Sequence, residues 1–511
     1  MNFYRACLKT LKSWRRGVSV VRSVIHSSPK IDVLLSQTAS DDSESTSDNN
    51  LDKKIKACRR KLFECPSWFL DSWCHWLLLG SRLRDLSDAL YDRFERLGGI
   101  EYIEESITHY RQLERFNRYR IGDYNRLTNL NNLAIAVHTR FDQLGRMDDL
   151  DEAIAYYRQV LILRPHDHPN RSSTLKNLAS AVSTRFQQLG RIEDLEEAIT
   201  CHRQALALRP HGHPSRSRSL NNLADTVSTR FKQLGRMEDL EEAITCHRQA
   251  LALRPHGHPK HSDSLNNLAD AMLTRFTQSG GMEDLEEAIT CHRQALALRP
   301  HGHPNHSDSL NNLATAVSTR FKQLGRMADL EEAITCHRHA LALRPHGYPN
   351  RPDFLNNLGN AVSTRFEQLG RMDDLEEAIT CYRQALTLLP HGHPNRSIFL
   401  NGLATSVSSC FMQLGRMEDL EEAITCYRQA LALRPHGHPD RSRSLNNLAA
   451  TVSTRFKQLG RMEDLEEAIT CHRQALALLP HGHTIRSNAL NNLATAVSTR
   501  FKQLGRLEDL E

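Results

Sequence analysis

The sequence predicts an all-α protein, a right-handed α-solenoid of antiparallel helix pairs. Three observations predict it. Proline recurs at Pro165, Pro210, Pro255, Pro300, Pro345, Pro390, Pro435 and Pro480, each 45 residues after the last. Glycine keeps the same period at Gly145, Gly190, Gly235, Gly280, Gly325, Gly370, Gly415, Gly460 and Gly505. Between these marks the apolar residues fall at helical spacing, with no strand signal. Self-similarity at a fixed period of this size is the signature of a stacked array. The 511 residues are therefore one unit copied, not several unrelated domains.

Residues 1–37 read as a basic amphipathic segment. The first 30 residues carry seven basic residues and no acid, which leaves a net charge of −1 for the rest of a chain whose total is +6. Such a segment resembles a mitochondrial presequence. The expected location is cytoplasmic, with mitochondrial as the alternative if residues 1–30 act as that presequence. Residues 38–54, rich in Ser, Thr, Asp, Asn and Glu, read as a disordered linker. Residues 55–80, with Trp68, Trp73 and Trp76, read as an apolar helix capping the array. Residues 81–125 form a degenerate first repeat, in which Leu83, Leu86, Leu90, Phe94 and Gly98 keep the spacing of Leu220, Leu223, Val227, Phe231 and Gly235. Eight full units follow over residues 126–485, and a partial ninth over 486–511. That partial unit leaves an apolar face open, so the sequence predicts a truncated product or self-association through the uncapped repeat.

Unit 216–260 shows the internal logic. Leu220, Leu223, Ala224, Val227, Phe231 and Leu234 line one face of a first helix, helix A. Gly235 stops it. Leu240, Ala243, Ile244, His247, Ala250 and Leu251 line a second, helix B. Asp239 and Glu242 have the spacing of a capping box at its start. Two prolines and a glycine, Pro255, Gly257 and Pro259, end it.

These residues resemble the tetratricopeptide repeat. Ala224, Ala243, His247, Ala250 and Pro255 occupy that family's two small positions, its helix-B aromatic, its second helix-B alanine and its closing proline. The resemblance runs over roughly residues 81–511. The unit is longer than the family's usual one and is similar to the repeats of kinesin light chains. It is closer still to fungal aromatic di-alanine and tetratricopeptide-repeat proteins, whose arrays often precede a caspase-like CHAT protease domain. The resemblance implies a protein-interaction scaffold, or a regulatory array whose protease domain is missing from this chain.

Composition first suggests other chemistry, and position removes it. There are 12 Cys and 27 His. Cys201, Cys246, Cys291, Cys336, Cys381, Cys426 and Cys471 are one structural column. Each adjoins His or Tyr, but neighbouring helical residues point about 100° apart, so they make no catalytic pair. His202, His247, His292, His337 and His472 share a column with Tyr157, Tyr382 and Tyr427, which suits a packed ring. Loop pairs such as His211/His213 lack a third metal ligand. No phosphate-cradling glycine loop or nucleophile elbow is present. No stretch is long and apolar enough to span a bilayer. No secretory leader opens the chain, so the thiols should stay reduced. The expectation is no enzyme, no cofactor, no metal, and no nucleic acid, because the array lacks a basic stripe.

What varies between nearly identical units carries more information. The columns through Arg218, Asp225 and Lys232 change from unit to unit and lie seven apart on one face of helix A. In them fall Asp263, Asp270, Asp308, Thr315, Asp353 and Asn360. Asn221, Asn266, Asn311, Asn356 and Ser228 flank the stripe with hydrogen-bonding groups. The resemblance implies that this face lines a concave groove for a protein or peptide ligand. Lys substituted for Asp263, Asp270 and Asp308 should then alter partner capture and leave helicity intact.

Overall fold

The computed structural model describes residues 46–63, 73–117 and 124–505, apart from residues 346, 349, 391, 394, 436, 437, 439 and 480–485. The N-terminal segment expected to be basic and amphipathic, Trp68, and the last residues of the partial repeat lie outside the described residues. Among the described residues there are twenty α-helices and no strand. Consecutive helices pack as antiparallel hairpins. The chain divides into two compact units, Met1–Leu253 and Arg254–Glu511.

In the first unit, helix Thr46–Phe63 precedes four hairpins: Trp73–Leu97 with Ile100–Asn117, Tyr124–Leu144 with Met147–Leu163, Arg171–Leu189 with Ile192–Ala207, and Arg216–Leu234 with Met237–Ala252. The N-terminal boundaries differ from those expected. Helix Thr46–Phe63 starts inside the segment read as a linker. Leu51 and Ile55 are buried, and Ile55 packs with Leu86, Ala89 and Leu90, so an apolar stripe on the first hairpin anchors it. Of the segment read as a capping helix, residues 55–63 belong to helix Thr46–Phe63, and residues 64–72 lie outside the described residues. Residues 73–80 belong to the first helix of the degenerate repeat instead. Within residues 81–125, Leu86, Leu90, Ile103, Ile107 and Tyr110 are buried.

The second unit holds five hairpins and one further helix: His261–Ser279 with Met282–Ala297, His306–Leu324 with Met327–Ala342, Arg351–Leu369 with Met372–Leu388, Arg396–Leu414 with Met417–Ala432, Arg441–Leu459 with Met462–Ala477, and Arg486–Leu504. In both units the core is the repeated set of small and branched residues. Ala224, Val227, Ala243, Ile244 and Ala250 are fully buried, as are Ala314, Val317, Ala333, Ile334 and Ala340. Alanines let the two helices of a hairpin approach closely, and the phenylalanine column fills the far end.

Two local expectations need correction. Leu234, placed on the core face, is 42% exposed. It is the last residue before the turn, where the partner helix has not yet begun to cover it. The capping box is also absent. Helix B starts at Met237, and Arg236 before it makes no side-chain cap bond. Asp239 points instead to Arg230, and Glu242 to Arg203 of the preceding hairpin. A buried guanidinium competes better for a carboxylate than a backbone N–H does, because both partners are charged.

Gly235 does stop helix A. It takes φ 66°, the left-handed region, and its N–H bonds the Phe231 carbonyl at 2.7 Å. The far end of helix B is closed by a device that the sequence reading missed. Arg216, first residue of the next helix A, donates to the carbonyls of Leu206 and Arg209. Arg171, Arg351, Arg396, Arg441 and Arg486 do the same in their units. Carbonyls orphaned at a helix end are thus satisfied by the following unit.

Gly359 and Gly402 report on packing. Tyr382 stands where most units carry His. A Cβ on Gly402 would lie 2.5 Å from the Tyr382 ring, and one on Gly359 3.0 Å from it. The larger ring is housed by a missing methyl group at Gly359, where the other units carry Ala, and a missing side chain at Gly402, where they carry Asn. Gly402→Ala should lower stability by about 1–2 kcal/mol through overpacking. Tyr382→His in the same chain should restore it, which a double-mutant cycle in urea measures.

Candidate protein-interaction face

The variable face is built on helix A and supported from below by helix B. Position Asp225 and its equivalents Ser180, Asp270, Thr315, Asn360, Thr405 and Ala450 are all exposed. Each unit's supporting residue is the helix-B ring 22 positions later. His247 Nε2 lies 3.7 Å from Asp225, and His292 Nε2 3.5 Å from Asp270. Where the ring is tyrosine, its hydroxyl donates to Asn360 at 2.8 Å, and in the next unit Tyr427 and Thr405 hydroxyls meet at 2.9 Å. Asp225 and Asp270 therefore stand beside histidines, and Asn360 and Thr405 beside tyrosines. The stripe is coupled to the packed column beneath it.

The flanking asparagines divide. Asn221 and Asn266 are buried, and their Oδ1 atoms face His247 Nδ1 at 3.1 Å and His292 Nδ1 at 3.0 Å. They build the hairpin and do not offer themselves to solvent, contrary to the role expected for them. Asn311 and Asn356 are half-buried. Asn357 donates to Asn311 at 3.1 Å, and Asn356 Oδ1 has no hydrogen-bond partner among the described residues. The reason is Tyr382, which reaches Asn360 where a histidine would face Asn356. Ser228 is half-buried, and Arg218, Lys232 and Asp353 are exposed.

Asp263 and Asp308 also differ from expectation. Asp263 accepts from Arg299 Nη2, and Asp308 from Arg344 Nη2 at 2.6 Å. Both arginines are about 4% exposed at the close of helix B. These two aspartates neutralise buried cations, so lysine at either would not be structurally silent. Asp308→Lys should cost about 1–2 kcal/mol, since it removes a charged hydrogen bond and adds a like charge. Asp270→Lys should leave the denaturation midpoint nearly unchanged. A urea titration of the two variants distinguishes them.

Electrostatics fit a crowded but wet face. Asp225 has a side chain 61% exposed, yet the packed hairpins around it desolvate the carboxylate. This crowding pushes its pKa up to about 6, against a downward pull from Lys232. Burial pushes His202, His247, His292 and His337 down to about 4, with Lys176 and Arg209 adding to the effect at His202. A histidine kept neutral in the fold takes up protons only on unfolding. Its stabilising contribution is full above pH 6.5 and is lost as pH falls towards 4. Asp225 has the opposite sign, because its raised value favours the fold as pH drops from 6. Four histidines outweigh one aspartate, so the urea midpoint should fall between pH 7 and pH 4.5.

The remaining polar columns are structural. Cys201, Cys246, Cys426 and Cys471 are buried, and burial pushes their thiols up to about 11, far from nucleophilic thiolates. His168, His213, His258, His303, His393 and His438, the second histidines of their loop pairs, each accept a backbone N–H two residues on, as His213 does from Ser215 at 3.0 Å. No group of three or more His, Cys, Asp or Glu that could hold a metal occurs among the described residues, and no described helix is long and apolar enough to cross a membrane.

Stacked helical hairpins that present a variable polar stripe over an invariant core define a helical-repeat protein. The tetratricopeptide-repeat family model matches residues 369–390 and 414–436, which hold helices B of two successive units. Two stretches of the array thus match the tetratricopeptide repeat. A putative kinesin light chain from Podospora anserina, with nearly identical tetratricopeptide-like repeats, is 22% identical over 43% of this chain and 99% of its own, with a TM-score of 0.33. BtubC from P. vanneervenii is 18% identical over 50% of this chain and 92% of its own, with a TM-score of 0.36. Human IFIT1, solved as a dimer with m7Gppp-AAAA, is 14% identical over 92% of this chain and 90% of its own, with a TM-score of 0.44. No curated protein matches the chain by sequence.

Proposed function

We propose that the chain is a non-enzymatic scaffold that binds a peptide or protein segment along the helix-A face. One observation carries the reading. The column through Asp225 stays exposed from Ser180 to Ala450, while its chemistry changes from unit to unit. A solenoid buries its repeated positions to hold the stack and keeps a long face free for partners. Changing side chains along that face give each unit its own contact preference, so specificity is a sum over units.

Peptides selected from a random display library against the full chain should lose binding on Asp225→Lys or Asp270→Lys. They should retain it on Arg236→Glu, at the exposed turn away from the stripe. A library that yields no binder, or binders indifferent to both stripe substitutions, overturns the proposal.

A further inference from the structure

Two of the variable columns turn apolar in a single unit. The column through Arg218 is apolar only at Ile398, and the column through Lys232 only at Met412. Both residues stand on helix Arg396–Leu414, where Ile398 is 45% and Met412 68% exposed. Exposed apolar side chains scattered singly are ordinary. These two share one row of one helix, and that row is bordered by charge on both sides.

The helices on either side carry opposite signs. Helix Arg351–Leu369, one unit earlier, presents Asp353 and Glu367 at the same two positions, and helix Arg441–Leu459, one unit later, presents Arg443 and Lys457. All four are exposed, and none makes an ion pair or a side-chain hydrogen bond among the described residues. Asp353 is unpaired because the residue 36 positions on, the arginine that neutralises Asp263 and Asp308, is here Leu389. The three helices are neighbours in space. Ser363 Oγ and Ser406 Oγ meet at 3.2 Å, and Ser444 Oγ donates to Asn401 Oδ1 at 3.3 Å. Three rows thus lie side by side, acidic, apolar and basic. In each row the two residues are 14 positions apart, about 21 Å along a helix. The residues midway, Asn360, Thr405 and Ala450, are exposed and uncharged.

We propose that the three rows dock an amphipathic helix of a partner protein, laid lengthwise on helix Arg396–Leu414. Its apolar stripe covers Ile398 and Met412, a basic flank faces Asp353 and Glu367, and an acidic flank faces Arg443 and Lys457. Packed helices keep their axes about 8–10 Å apart. A helix seated on the middle row therefore has a charged row beneath each flank, within reach of a Lys, Arg or Glu side chain. Apolar residues spaced by multiples of seven and bordered by charges are what a helix-to-helix seam uses to choose its partner. An extended chain crossing the three helices meets one apolar residue and one charge of each sign, whereas a helix lying along them meets two of each. This partner rests on the reading of the helix-A face as a binding surface and adds the chemistry of what binds there.

The test uses the full chain and four fluorescent alanine-based helical peptides of about 20 residues. The first carries a leucine stripe with lysines on one flank and glutamates on the other. Two more carry lysines, or glutamates, on both flanks. The fourth keeps the mixed flanks and has alanine for leucine. Exchanging the two flanks only reverses the direction in which the peptide lies, so the same-charge peptides are the controls. The mixed leucine peptide should bind about tenfold more tightly than the other three, the sum of a few exposed ion pairs and a small apolar contact. Asp353→Lys with Glu367→Lys should transfer the preference to the all-glutamate peptide, and Arg443→Glu with Lys457→Glu to the all-lysine one. Ile398→Asp with Met412→Lys, the commonest residues of those columns, should abolish binding of the mixed peptide. All six positions are exposed, so the thermal midpoints should not fall. Equal binding of mixed and same-charge peptides by the parent, or a preference that the charge-reversed variants leave in place, overturns the proposal. So does a doubling of mass in light scattering that those variants abolish, which assigns the rows to a second copy of this chain. If library peptides bind through Asp225 and Asp270 while the mixed helix shows no preference, this partner fails and the helix-A reading stands; if neither binds, both fail.

Discussion

Asp239→Ala is expected to destabilise its hairpin by about 3–5 kcal/mol, the cost of leaving a buried charge without its partner. Arg230 holds Asp239 in a two-pronged pair, Nε to Oδ2 at 3.0 Å and Nη2 to Oδ1 at 2.6 Å. The side chains are 10% and 5% exposed. The third nitrogen, Nη1, donates to Glu196 of the preceding hairpin at 2.7 Å. One guanidinium therefore ties the end of helix A, the start of helix B and the neighbouring unit. The same triple connection recurs at Arg185, Arg320, Arg365 and Arg455. Glu196 remains after the substitution, so the loss should fall at the lower end of the range. Amide exchange should accelerate in helices Arg216–Leu234 and Met237–Ala252 first, because each unit is stabilised mainly by its neighbours. A loss below about 1 kcal/mol, typical of an exposed pair, would show that the connection contributes little.

The reverse experiment is already half made in the sequence. At Cys410 the arginine of this column is missing. Asp419, the equivalent of Asp239, keeps a buried Oδ2 with no hydrogen-bond partner among the described residues. Glu376 of the preceding hairpin faces the same spot, and with Asp419 it raises the Cys410 thiol, after burial. Cys410→Arg should satisfy both acids and raise stability by about 2–3 kcal/mol, the range for hydrogen bonds to charged groups. Because Cys410 is itself buried among Phe366 and Leu375, the longer side chain must follow the path that Arg230 takes. The shift of the urea midpoint measures this, and Cys410→Arg combined with Asp419→Ala should lose the gain.

Much of this molecule can be read from period alone. A spacing of 45 residues places every helix of the array, because glycine and proline interrupt helices for local steric reasons. The burial of Ala224, Val227, Ala243 and Ile244 follows from helical spacing of apolar residues. The loop histidines and column cysteines could likewise be assigned to structure, since multiplicity argues against a single reactive centre. The exposure of Asp225, Asp270, Thr315 and Asn360 was also legible, as positions that vary on one helix face.

Charge pairing was not legible. Nothing local distinguishes Asp239 as a cap from Asp239 as a partner of Arg230, since both uses need an acid at the start of a helix. Asp263 and Asp270 look alike in sequence, seven residues apart on one face, yet the first neutralises Arg299 and the second stands over His292. One signal was available and overlooked: an arginine before the closing proline, at Arg164, Arg209, Arg254, Arg299, Arg344 and Arg434. A cation repeated at the end of a helix invites the question of what neutralises it, and the answer differs from unit to unit.

The sequence by itself determined the class of fold, the number and order of the hairpins, and which columns are buried, because these follow from backbone sterics and apolar periodicity within a single unit. Only the tertiary structure decided which polar residues are spent on the fold and which stay exposed to solvent. That division depends on distances between side chains 22, 34 or 36 positions apart, and the energy of a charge is set by what lies within a few ångströms of it, not by its neighbours in the chain.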